Sequence, residues 1–205
     1  MFNEKCLIKP LITISFILFF LIFYYYIYDG TTSQLSKING KEYFVKDDSN
    51  KQIKAELLAD LHSKLDTIIS SLKKESQNSE NIRRLINNWD KGITIKETGN
   101  MEADAAYVIN KQYMSICLKD FIKIVNLENL NLLTYVGIHE LAHIMSNEIG
   151  HGDEFKANFK FLLDYSKKIN YKDPILNKTI LLYIPLNTIN TPNNYCGVSI
   201  INSIS

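Results

Sequence analysis

Residues 139–151 read HELAHIMSNEIGH and hold three of the four histidines in a chain of 205 residues. This stretch constrains the fold more than any other. Histidines four apart project from one face of an α-helix, one turn from each other, so the spacing predicts a helix on which His139 and His143 can share a zinc ion at about 2.0–2.1 Å. Glu140 is rotated from His139 by about 100° and can reach a zinc-bound water without competing for the ion. Zinc lowers the pKa of such a water to about 7, and a carboxylate acting as general base takes its proton as it attacks a carbonyl.

Two ligands do not complete a catalytic zinc site, which takes three protein groups and leaves one position open. On an unbroken helix residue 151 would lie about 12 Å along the axis beyond His143, so the helix must end before it. Gly150 tolerates the left-handed backbone that stops a helix, and it stands immediately before His151, the expected third ligand. Glu148, Asp153 and Glu154 are the other nearby groups able to serve. Glu148 is expected in the same helix, and the other two suit the start of the next one. An HExxH pattern arises by accident in about one sequence in a few hundred, and here it falls on an apolar-periodic helix, as its chemistry requires.

Around this motif the chain alternates helical and extended patterns. Ile53, Leu57, Leu61, Leu65, Ile68 and Leu72 recur at threes and fours and predict an amphipathic helix from about Lys51. His62 falls within it, apart from the other histidines, and reads as a packing or surface residue. Ser79 suits the cap of a second helix, SENIRRLINNW, which stops near Gly92. ITIKE, AYVIN and YMSICLK read as strands, the last two joined in a hairpin at Asn110-Lys111, and KEYFVK as a short edge strand. The histidine helix is expected from a cap at Asn129 or Asn131 to Gly150, and a further helix from a cap at Asp153 through DEFKANFKFLLDYSKK. ILLYIPL reads as one more strand.

The N-terminus carries an uncharged run, Leu11 to Tyr28, near the lower limit for a membrane-spanning helix and ending in Tyr24, Tyr25, Tyr26 and Tyr28. We therefore expect an uncleaved anchor over residues 1–30, a polar tether over 31–50, and one folded domain over 51–205, giving a single-pass membrane protein whose topology its flanking lysines leave open. The formal charge of +1 supplies no field for nucleic acid. Cys6, Cys117 and Cys196 are too scattered for a metal knuckle and too few for a disulfide framework. They are expected as idle thiols, with a Cys117–Cys196 bridge the one pairing left open.

HELAH followed by GHGDEF resembles the WLM and SprT-like zinc metallopeptidases, and is similar to uncharacterised metallopeptidase-like proteins of large DNA viruses. RRLINNW, YVINKQYMSICLK, NFKFLLDYS and YCG extend the likeness over roughly Glu80 to Ile200. The resemblance implies an α+β, zincin-like domain in which the HExxH helix packs on a small sheet, here preceded by one N-terminal transmembrane helix. It also implies His139, His143 and His151 as metal ligands, Glu140 as the base, Zn(2+) as cofactor and a protein or peptide substrate. The chain departs from metzincins: Ser146 stands at their glycine position, the third histidine comes two residues late, and no methionine follows Met145. A peptidase further needs an oxyanion donor, for which Tyr165, Tyr171, Tyr183 and Tyr195 are candidates, with Tyr195 beside the Cys196-Gly197 step read rather as structural, and an edge strand to align substrate, for which YMSICLK is the candidate. Two alternatives differ in kind. A tethered adaptor would use zinc only as a staple, with Cys117 or Cys196 as a fourth ligand, and an amidase would act on a non-peptide amide.

Overall fold

The computed structural model describes residues 14–21, 30–75, 79–100, 102, 106–186 and 193–200. A helix over 14–21 (α1) is followed by β1 (Thr31–Leu35), β2 (Glu42–Lys46), α2 (Lys51–Lys74) and α3 (Glu80–Asp90). Then come β3 (Thr94–Glu97), β4 (Tyr107–Ile109), β5 (Tyr113–Ile116), α4 (Leu127–Met145) and α5 (Asp153–Ser166). β6 (Asn170–Asp173), β7 (Lys178–Leu181), β8 (Asn193–Tyr195) and β9 (Val198–Ile200) complete the order.

The mixed α+β character is as expected, but the transmembrane helix is not found. Among the described residues no helix is long and apolar enough to cross a membrane. At about 1.5 Å per residue the described part of α1 covers about 12 Å, against a hydrocarbon core of about 30 Å. This corrects both the N-terminal transmembrane helix and the single-pass membrane location. The rest of the Leu11–Tyr28 run, with its four tyrosines, lies outside the described residues.

The expected tether is also corrected in its first half. Residues 31–35 pair antiparallel with β2, from Thr31↔Lys46 to Leu35↔Glu42, and both strands pack on α2. The segment is polar because its polar groups are matched from outside it. Glu56 of α2 accepts from Ser36 Oγ at 2.6 Å and from the amides of Lys37 and Ile38.

α2 is the central element, and its buried face extends beyond the apolar stripe. Leu57, Leu61, Leu65, Ile68 and Leu72 are buried as predicted, whereas Ile53 is exposed. Two lysines are buried with them. Lys54 lies 3.0 Å from Glu97 of β3 and 2.6 Å from Asp48, and Lys64 lies 2.7 Å from Asp60 and 3.1 Å from Asp173 of β6. Buried charges persist only when paired in this way, so these pairs fix α2 against two different sheets.

β3 and β5 run parallel with Ile95 opposite Met114, and β4 runs antiparallel to β5. The order is β3-β5-β4, so YMSICLK supplies the central strand and β4 the edge. The hairpin between them turns at Asn110 and Lys111, both with positive φ, which matches the right-handed strand twist.

α4 begins one turn earlier than expected, with Asn126 Oδ1 accepting from Asn129 N, and ends at Met145 instead of Gly150. It is buried continuously from Leu130 to Ile138. Gly137 permits its close approach to α2, since a Cβ there would lie 2.5 Å from Leu61 Cδ1. α5 begins at Asp153 itself, and Gly152 is the cap. Of ILLYIPL only the first residues are extended; Leu182–Leu186 pack on α4, pinned where Asn131 exchanges two 2.8 Å hydrogen bonds with Ile184.

Cys117 and Cys196 form a disulfide across 79 residues of sequence. The expectation of idle thiols fails because β8–β9 folds back onto the end of β5, where Tyr195 Oη accepts from Cys117 N at 3.0 Å.

Candidate metal centre

His139 and His143 occupy the last two turns of α4, and Ser146 then turns the chain out of the helix in an extended conformation. Residues 146–152 form a loop in which Gly150 takes a φ of 87°, and His151 comes back to the face the other two present. The ring centroids form a nearly equilateral triangle with sides of 5.0, 5.0 and 4.9 Å. Nε2 of His139 and Nε2 of His151 stand 3.0 Å apart, and one nitrogen from each of the three rings falls within 4.8 Å of the others. Two nitrogens bound tetrahedrally to one zinc lie about 3.3 Å apart, so the rings fit a single ion with little adjustment.

Electrostatics agree with that use. Burial, reinforced by repulsion from the neighbouring imidazoles, pushes His139 down to about 3 and His143 to about 4. Both therefore stay neutral near pH 7, as a metal ligand must. Glu140 is 2% exposed, its Oε2 has no hydrogen-bond partner among the described residues, and burial pushes it up to about 8. A carboxylate in such a position ionises readily only when a positive charge lies beside it.

The other three acidic candidates are engaged elsewhere. Glu148 is in the loop, not in α4, and its Oε1 accepts from Phe155 N at 2.8 Å. Glu154 Oε2 accepts from the amides of Asn147 and Glu148 at 3.0 and 3.2 Å, and its Oε1 from Arg84 at 2.8 Å. The Asp153 side chain is fully exposed in the first turn of α5. Glu148 and Glu154 hold the loop, Asp153 stays in solvent, and His151 is the ligand the loop presents.

A cleft of about 660 Å³ opens over the histidines, with Tyr107, Val108, Asn110 and Lys111 of the β4 hairpin on one wall and Glu148 to His151 on the other. Lys111 Nζ donates to Ser146 O, joining the two walls. The four tyrosines proposed as oxyanion donors are placed elsewhere. Tyr171 donates to Asp60 Oδ1, Tyr195 supports Cys117, Tyr183 lies tilted beside the Tyr135 ring, and Tyr165 lines a separate cleft with Glu75. The tyrosine that does line the histidine cleft is Tyr107, whose hydroxyl bonds Glu102 and is pushed up to about 12, chiefly by burial. Sequence reasoning missed Tyr107, Lys111 and the clamping role of Arg84, because strand order and cross-chain hydrogen bonds leave no periodic trace. Phe155 is buried in the first turn of α5. Its ring also lies within 4.9 Å of all three histidine rings, and its position four residues after the third histidine was the available signal.

The chain is 35% identical over 74 residues to an uncharacterized protein of Invertebrate iridescent virus 3, an alignment covering 36% of this chain and 46% of that one. It is 25% identical over 155 residues to an uncharacterized protein of Invertebrate iridescent virus 6, covering 73% of this chain and 84% of the relative. With an uncharacterized protein of Acanthamoeba polyphaga mimivirus it shares 26% identity over 169 residues, 80% of each. No protein-family model matches the chain, and no solved structure matches it.

Proposed function

We propose that the chain is a zinc-dependent metallopeptidase of the HExxH type. The observation that carries this reading is the buried Oε2 of Glu140, unpartnered among the described residues, beside a triangle of three histidines. His139, His143 and His151 hold the zinc, which supplies Lewis acidity toward a substrate carbonyl and toward the attacking water. Glu140 takes the proton of that water and delivers it to the departing amine, the two halves of general base and general acid work. Among the described residues no strand pairs with the outer edge of β4, and an extended peptide in the cleft can add there as a strand.

The adaptor reading is disfavoured by the disulfide. A closed structural site needs a fourth protein ligand, and both candidate sulfurs are bonded to each other. No other His, Cys, Asp or Glu joins the triad among the described residues.

The deciding experiment compares the parent chain with Glu140→Gln, measuring bound zinc by elemental analysis and hydrolysis of a broad peptide library. The variant is expected to keep its zinc and to lose about 10²-fold or more of its activity, the usual contribution of a positioned general base. Unchanged hydrolysis with zinc retained would overturn the assignment. Hydrolysis confined to non-peptide amides would transfer the same machinery to an amidase.

A further inference from the structure

The third ligand comes from a loop, and a loop holds a ligand only as well as it is itself held. His139 and His143 are fixed by α4, but residues 147–151 have no helix or strand of their own. Ile149 is fully exposed at the loop's apex, so packing of its side chain does not anchor it.

What fixes the loop is a chain of hydrogen bonds that begins on α3, far in sequence from the motif. Arg84 Nη1 donates to Met145 O, the last residue of α4, at 2.9 Å and to Glu154 Oε1, in the first turn of α5, at 2.8 Å. Glu154 Oε2 in turn accepts from the amides of Asn147 and Glu148, and Glu148 Oε1 accepts from Phe155 N. One guanidinium thus ties the end of the helix bearing two ligands to the start of the helix that follows the third. Its planar fork suits the task, because a lysine ammonium on a flexible stem is a point donor that does not set the angle between two acceptors. Asn158 Nδ2, at 2.9 Å from Ser146 Oγ, and Lys111, on Ser146 O, hold residue 146 only. The amides of 147 and 148 are held by Glu154, whose other oxygen Arg84 holds, and the Glu148 side chain adds its own tie to Phe155 N.

We infer that Arg84, acting through Glu154, is the positioning residue that sets His151 against His139 and His143 and so determines metal affinity. This rests on the three-histidine site proposed above. It adds that the site extends through a residue more than fifty positions upstream of the first ligand and outside the histidine cluster.

The test measures zinc affinity of the full chain by competition with a chromogenic chelator at fixed neutral pH. Arg84→Met and Glu154→Gln are each expected to weaken zinc binding by about 10–100-fold, the range for losing an outer-shell partner of a metal site. Arg84→Lys should recover part of that loss. A general loss of fold would lower affinity in every background. Loop positioning acts only through His151, so adding Arg84→Met to His151→Ala should change the affinity less than about twofold. Because Glu154 lies at the surface, Glu154→Gln carries the test if Arg84→Met does not fold. Parental affinity in both variants, or an equal loss with and without His151, would overturn the inference while leaving the zinc site standing. A parent chain that takes up no zinc would overturn the site and the inference together.

Discussion

The ring of Phe155 lies 4.3 Å from the ring of His143, centroid to centroid and tilted by 31°, and the same ring is 4.9 Å from His139 and 4.7 Å from His151. One apolar side chain, itself 2% exposed, therefore touches every ligand of the candidate metal centre. It limits the rotamers open to each imidazole and shields one side of the site from water.

Replacing Phe155 by alanine should cost about 3–5 kcal/mol in the metal-free chain, the range for deleting a buried phenyl ring. Zinc affinity should fall as well, because the imidazoles gain freedom that binding must remove. Phe155→Leu keeps much of the volume and should restore more stability than affinity. Denaturant midpoints and chelator competition on the same samples separate the two effects, and an unaltered affinity in Phe155→Ala would refute the contact's role.

The combined contribution of His139, His143 and Glu140 to the stability of the metal-free chain should peak near pH 6.5. The folded state holds His139 and His143 below their ordinary 6.5, so between about 4 and 6.5 the unfolded chain binds more protons and stability rises with pH. Glu140 is held above its ordinary 4.5, up to about 8, so its contribution is full below 4.5 and is lost as pH rises toward 8. Two histidines outweigh one carboxyl below 6.5, and above it only the carboxyl acts. Urea midpoints across this range with chelator present should show the peak, and Glu140→Gln should flatten its alkaline side. A midpoint that climbs steadily to pH 8 in the parent would contradict the burial of Glu140.

Breaking the disulfide should cost stability but not zinc. A bridge closing a loop this long is worth about 2–5 kcal/mol, and neither sulfur belongs to the histidine cluster. A Cys117→Ser, Cys196→Ser double variant should unfold at lower denaturant yet bind the same amount of zinc per folded chain. Loss of zinc from a well-folded double variant would restore the adaptor reading.

Lys64→Met should be among the most damaging single changes away from the cleft. It leaves Asp60 and Asp173 buried without their cation, and uncompensated buried charge costs about 3–5 kcal/mol. Urea midpoints would read that loss near neutral pH, with partial recovery in acid as the carboxyls protonate. A change below 1 kcal/mol, about the ceiling for an exposed pair, would mean that the pair is not sealed from water.

Helices α2 to α5, the hairpin turn at Asn110-Lys111 and the shared face of His139 and His143 were legible in the sequence, because each depends on residues within a few positions of one another. Periodicity, turn chemistry and motif spacing are local properties, and they carried the reading as far as a three-histidine site with Glu140 beside it. Local signals misled where a segment's partners lie outside it. The polar stretch 31–35 read as a tether since its ladder bonds go to β2, and the two buried lysines of α2 gave no sign of Glu97 or Asp173. Only the tertiary structure could put β4 and not β5 at the sheet edge, join Cys117 to Cys196, lay Phe155 under three rings and bring Arg84 to the end of α4. Each of these contacts closes a long stretch of chain. Its formation rests on how whole helices and strands pack, a choice made by the summed burial of many side chains and not by the identity of any neighbour in sequence.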